Sequence, residues 1–256
     1  MQVREVLVDG LPVRTRVAEG APQDAPVVVL VHGLGMSGRT MEPLLRRLAP
    51  HARVYVPDLP GFGASGKPRR TLEVEELADA LHAWVGQSGI SPLLYVGHSL
   101  GCQVIGHLAI RHPGSVPSVV WVAPTRDPKV RTVTAYTLRL LRDAPREPLS
   151  LLGLAVFDYL RSSPIRVLKT LADAIVSPVR PQLPALGVPV LVVRGEHDPV
   201  VPRTFCQMVV DLLPDCRMTE VPDAAHGVVF SHPDAVARLV LDFVGSLSSR
   251  DVPIGR

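Results

Sequence analysis

The pentapeptide Gly97-His98-Ser99-Leu100-Gly101 constrains this chain more than any other feature. It matches G-x-S-x-G and lies between an apolar run at 93–96 and a helix-patterned stretch at 99–111. Such a turn sends the chain from strand to helix within one residue. The serine must then hold a strained backbone, and a side chain at either flanking position would collide with the turn, hence the two glycines. The Ser99 hydroxyl is expected to project from the strand end above a helix N-terminus, where free N–H groups and the helix dipole favour negative charge. An ordinary turn with a capping serine does not require these flanks.

Around this turn, short apolar runs alternate with helix-patterned segments, the signature of a mostly parallel sheet covered by helices. Strands are predicted at 3–8, 11–17, 27–31, 53–56, 93–96, 116–122, 188–193 and 217–221. The first two are joined by the hairpin signal Asp9-Gly10. Helices are predicted at 37–48, 72–84, 99–111, 203–213 and 233–247. Residues 125–184 break the alternation. They hold helical leucines and tyrosines punctuated by Pro145, Pro148, Pro164, Pro178, Pro181 and Pro184, with no strand pattern. The expected organisation is a core domain of residues 1–124 and 185–256, with a helical cap inserted at 125–184.

A serine hydroxyl is a weak nucleophile until a base takes its proton. Of nine histidines, His226 is best placed, in Asp223-Ala224-Ala225-His226-Gly227 just past the last strand. His51, His82, His107 and His112 fall in or beside helices, and His232 opens the final one. His98 is expected to point away from Ser99 into the support beneath it. The acid should lie between nucleophile and base in the chain. Asp198, in the loop after the strand at 188–193, fits, with Glu196 and Asp127 as rivals. The Gly-rich His32-Gly33-Leu34-Gly35, after the strand at 27–31, suits an oxyanion loop, and the expected donors are the Leu34 and Leu100 amides. His32 is expected to shape that loop rather than act as base.

Composition bounds the partners. The chain has 256 residues, 46% of them hydrophobic, enough for one large α/β domain. A net charge of +3 without a Lys/Arg run argues against a nucleic-acid partner. The three cysteines form neither C-x-x-C nor zinc-ligand spacing, so a reducing compartment and no metal are expected. Cys102, although close to Ser99, reads as a small buried helix residue. Charged residues break the first twenty positions and no apolar run approaches the ~20 residues of a membrane span. A cytoplasmic protein without a membrane partner is expected.

Five segments in order, HGLG at 32–35, DLPGFGASGKP at 58–68, GHSLG at 97–101, RGEHDPVVP at 194–202 and DAAHG at 223–227, resemble the α/β-hydrolase family over nearly the whole chain. The resemblance implies an eight-stranded, mostly parallel sheet with a cap after the sixth strand, and Ser99, Asp198 and His226 as a catalytic triad. Members with an aspartate nucleophile, such as epoxide hydrolases and haloalkane dehalogenases, are disfavoured by the serine here. The expected activity is cofactor-free hydrolysis of a carboxylic ester or related acyl bond through an acyl-enzyme. Carbon–carbon hydrolase, thioesterase or acyltransferase, perhydrolase and low-turnover receptor functions remain alternatives. The expected partner is a small to medium, mainly apolar substrate bound by Met36, Tyr136, Phe157 and Tyr159. Arg126, Arg131, Arg139, Arg142, Arg161 and Arg166 read as a solvated basic face of the cap.

Overall fold

A computed structural model describes residues 1–125, 127–177 and 186–248. Eight strands form one sheet in the order β1-β2-β4-β3-β5-β6-β7-β8: β1 (Gln2–Val8), β2 (Leu11–Ala18), β3 (Val27–Val31), β4 (Arg53–Pro57), β5 (Leu94–His98), β6 (Val119–Val122), β7 (Val190–Gly195) and β8 (Cys216–Val221). β2 pairs antiparallel with both β1 and β4, and every other pairing is parallel.

Strand side chains alternate between two cores, as the pleat requires. Val29, Val31, Tyr95, Trp121 and Val192 pack on one face, against α2 (Val74–Ser88), α3 (Leu100–Arg111) and α7 (Arg203–Leu212). Val28, Leu30, Val96, Val122 and Val193 pack on the other, against α1 (Glu42–Leu48) and α9 (Pro233–Ser248). With helices on both faces, β3, β5, β6 and β7 are buried throughout. That is why they read as unbroken apolar runs.

The element boundaries depart from expectation where local chemistry intervenes. The helix expected at 37–48 is a 3-10 turn, Gly38–Met41, followed by α1, because Pro43 suits the first turn of a helix and not its interior. The strand expected from 116 starts at Val119, after Pro117, which has no N–H for the ladder. α2 continues past Trp84 to Ser88 and stops at Gly89, which adopts the left-handed φ of 62°. A short helix α8 (Val228–Ser231), absent from the sequence reading, follows His226.

Between β6 and β7 the described residues form α4 (Val133–Asp143), a 3-10 turn (Ala144–Arg146), α5 (Leu149–Ser162) and α6 (Pro164–Val176), with no strand. Residue 126 and residues 178–185, on which the expected Arg126 and the far boundary of the insertion fall, lie outside the described residues. Polar contacts tie these helices to the sheet domain. Asp158 accepts from Ser37 Oγ at 2.6 Å, Asp173 accepts from the Val74 amide at 2.7 Å, and Arg161 donates to the Gly63 carbonyl at 2.8 Å. Among the described residues no helix is long and apolar enough to cross a membrane.

Candidate active site

The loops after β3, β5, β7 and β8 leave the same edge of the sheet, because those strands are parallel. In open α/β sheets this edge is where ligands bind. The turn after β5 is held by close backbone approach. A Cβ on Gly97 would meet the Cys102 amide nitrogen at 2.7 Å, and one on Gly101 would meet the Val31 carbonyl oxygen at 2.3 Å. Ser99 adopts φ 54° and ψ −117°, a conformation that costs of order 1–3 kcal/mol for a residue with a side chain.

Ser99 Oγ lies 3.1 Å from His226 Nε2, and His226 Nδ1 lies 2.9 Å from Asp198 Oδ2. All three residues are buried. Asp198 Oδ1 accepts from the Val200 and Val201 amides at 2.7 and 3.0 Å, so its carboxylate cannot swing away from the imidazole. Arg194 braces the same loop through the carbonyls of Glu196, Asp198 and Val201. Burial pushes the His226 proton affinity down. The Asp198 carboxylate, aided by Asp143 and Glu147, more than offsets it and leaves the pKa above the ordinary histidine value.

The rivals sit elsewhere. Glu196 turns outward beside His197 and Asp223, where it accepts from the Asp223 amide. Asp127 pairs with Arg139 at 2.9 Å. His107 is buried against Ser177, and His112 binds Asp79. Cys102 is buried with its thiol on the Gly97 carbonyl, and burial raises its pKa well above the usual thiol value. His32 shapes its loop: Nε2 accepts from the Leu59 amide at 3.0 Å, which leaves Nδ1–H to donate to the Gly33 carbonyl at 2.9 Å. Leu34 follows in that loop, and Leu100 opens α3, whose first-turn amides have no intrahelical acceptor.

His98 corrects an expectation. It does not point into the support below. Its Nε2 lies 2.9 Å from the His226 carbonyl and its ring borders the same cavity as Ser99. Strand alternation does not carry across the turn, because Ser99 has already left extended geometry. Burial, and then the neighbouring imidazole, push the His98 pKa down to about 3, so it is neutral and donates to that carbonyl.

Above Ser99 and His226 opens a mainly apolar cavity of about 290 Å³. Met36, Tyr136 and Tyr159 line it. Phe157 does not. It lies on the outer side of α5 with the Arg39 guanidinium 5.0 Å from its ring centroid. Leu152, Ala155 and Tyr159 follow the inner face at helical spacing, and Phe157 falls two residues, roughly 200°, from Ala155.

Two carboxyl groups at this cavity were not foreseen. Asp143 Oδ1 accepts from the His226 amide at 3.1 Å and Glu147 Oε1 from the Gly227 amide at 2.5 Å. They clamp the histidine loop from the α4–α5 side. Burial and the adjacent Asp143 carboxylate push Glu147 up from 4.5 to about 7. Its neutral form is therefore favoured by folding. Between pH 4.5 and about 7 the folded protein binds more protons here than the unfolded chain, so stability falls as pH rises through that window. Glu147→Gln, which cannot titrate, is expected to lose this dependence. Its melting temperature rises relative to wild type as the pH of a calorimetric series increases. A constant difference across the series would show that Glu147 titrates normally.

A model described as the Alpha/beta hydrolase family matches residues 28–239. The pimeloyl-[acyl-carrier protein] methyl ester esterase of Vibrio vulnificus (strain YJ016) is 28% identical over 246 residues, 86% of this chain and 94% of the relative. The magnesium-chelatase 30 kDa subunit of Rhodobacter capsulatus is 26% identical over 263 residues, 91% of this chain and 92% of the relative. Among solved structures, the enol-lactonase from Burkholderia xenovorans LB400 superposes with TM-score 0.81 at 23% identity, covering 94% of this chain and 100% of that one. At that identity the likeness concerns the fold alone.

Proposed function

The chain belongs to the alpha/beta hydrolase family, and from that premise we propose that it hydrolyses carboxylic esters through an acyl-enzyme on Ser99. The observation that carries this reading is the contact chain Ser99–His226–Asp198 at the floor of an apolar cavity. The ester bond itself is supported by relatives named as methyl ester esterases. A relative of similar identity is named as a chelatase subunit, so this level of identity leaves the substrate open.

In the proposed course, the ester carbonyl sits over Ser99 and its acyl chain lies among Met36, Tyr136 and Tyr159. His226 Nε2 takes the Ser99 proton as Oγ attacks. Asp198 keeps the other proton on Nδ1 and offsets the imidazolium charge without itself being protonated. The Leu34 and Leu100 amides donate to the oxyanion, and each such donor is worth roughly 10²–10³ in rate. His226 then protonates the departing alkoxide. Water repeats the sequence on the acyl-enzyme, the acid leaves, and Ser99 recovers its proton. None of these steps calls on a metal or an organic cofactor.

The test is p-nitrophenol release from p-nitrophenyl esters of increasing acyl length. The expected result is a rate that climbs to one preferred length and then falls, because side chains of α4 and α5 bound the cavity opposite Ser99. Folded protein inert toward every ester would overturn the assignment of ester hydrolysis.

A further inference from the structure

The helices that roof the cavity present an unusual outer surface. Twelve large apolar side chains are exposed among the described residues, and nine of them lie within residues 138–176. On α5 these are Leu149, Val156, Phe157 and Leu160, at spacings of seven, one and three, which is one face of a helix. The opposite face of α5 lines the cavity and is apolar too. A helix apolar all round belongs in an interior or against lipid, yet half of this one faces solvent. Ile165 and Leu168 extend the surface onto α6.

The charge on this surface has one sign. Residues 127–177 hold five acids, Asp127, Asp143, Glu147, Asp158 and Asp173, and none is exposed. Each turns inward to a hydrogen-bond donor: Arg139, the His226, Gly227 and Val74 amides, or Ser37. The exposed charges of the same stretch are all basic: Lys129, Arg131, Arg142, Arg146, Arg161 and Lys169.

We propose that this face rests on an anionic lipid bilayer. Its leucines and Phe157 enter the headgroup boundary and its arginines and lysines meet lipid phosphates. The apolar area is broad and set among flexible cations, which suits a fluid surface that adapts to side chains. A second copy of the chain fits poorly, because face-to-face packing sets six exposed cations against six with no exposed acid between them. The proposal departs from the expectation of no membrane partner, which rested on the lack of a spanning segment. A face that lies on a bilayer needs none. Docked this way, the roof of the cavity is the part of the protein nearest the lipid.

The test is cosedimentation of the full chain with sucrose-loaded vesicles. One set is phosphatidylcholine alone and the other contains phosphatidylcholine and phosphatidylglycerol in equal parts. The expected result is binding to the anionic vesicles that weakens with added salt and is much lower on phosphatidylcholine. Leu149→Glu with Leu160→Glu is expected to weaken it more than about tenfold by removing apolar burial. Arg142→Gln with Arg146→Gln is expected to weaken it about tenfold or more through lost surface attraction. Neither leucine borders the cavity, so hydrolysis of a water-soluble ester by the leucine variant should stay at the wild-type rate, which also reports its folding. Absence of binding to the anionic vesicles overturns the proposal, whether the chain then proves monomeric, dimeric through this face, or held by soluble polyglutamate. Binding unchanged in the leucine variant overturns it equally. Because the readout is binding, it succeeds or fails independently of the acyl-enzyme reading.

Discussion

Ser99→Ala is expected to cut kcat on p-nitrophenyl esters by roughly 10⁴–10⁶-fold while leaving the melting temperature close to wild type. The substitution removes one oxygen from a buried position and leaves the backbone of the turn as it was. The loss is chemical: His226 Nε2 then has no hydroxyl at 3.1 Å from which to take a proton. His226→Ala should cost about as much, and the double variant little more. Groups that act as one unit fail together, so their losses do not add. Single-turnover kinetics would check both variants. A Ser99→Ala protein that turns over like wild type would mean that another group attacks the ester.

Gly101→Ala should destabilise the fold by about 3 kcal/mol or more. The added Cβ meets the Val31 carbonyl oxygen at 2.3 Å and the His32 carbonyl oxygen at 3.0 Å. These are backbone atoms at the end of β3, the strand between β4 and β5, and cannot rotate aside as a flexible side chain would. At roughly 2–4 °C per kcal/mol for a chain of this size, the melting temperature should fall by about 6–12 °C. Gly245→Ala in α9 is the control, since a Cβ there meets nothing within 4 Å. It should hold or slightly raise the melting temperature, because alanine favours a helix over glycine. Calorimetry showing Gly101→Ala as stable as Gly245→Ala would refute the close approach of β3 and α3.

The sheet, the nucleophile turn and the residues that meet at Ser99 were legible because each belongs to a short segment with its own local signature. Asp198 and His226 follow strands whose apolar runs are unmistakable, so each loop could be assigned to one sheet edge without knowing the strand order. The misreadings have the opposite character. Phe157 is expected at the cavity but lies outside it, because α5 carries apolar residues on both its inner and outer faces and such a helix gives no periodic cue to which face turns inward. His98 turns toward His226 rather than into the support because the chain leaves extended geometry at the next residue, Ser99, and no local sequence pattern marks that change of direction. Asp143 and Glu147 were invisible for a different reason. Their partners are main-chain amides 83 and 80 positions away, and an amide bears no mark of residue type. The exposed face of α4–α6 was seen as arginines alone. That every nearby acid turns inward becomes visible only when burial is known.

The strand order has a consequence for how the chain matures. Six adjacent strands, β1 to β6, come from one continuous stretch, and β7 and β8 join only after the intervening helices. A nascent chain therefore holds Ser99 and its turn long before Asp198 and His226 have been synthesised. The strained turn must wait, without its partners His226 and Asp198, for the last strands to dock. Ester hydrolysis should accordingly be the final native property to appear during refolding, later than helix content or burial of Trp84 and Trp121. Among the many ways to follow refolding of this molecule, its own turnover reports completion rather than progress.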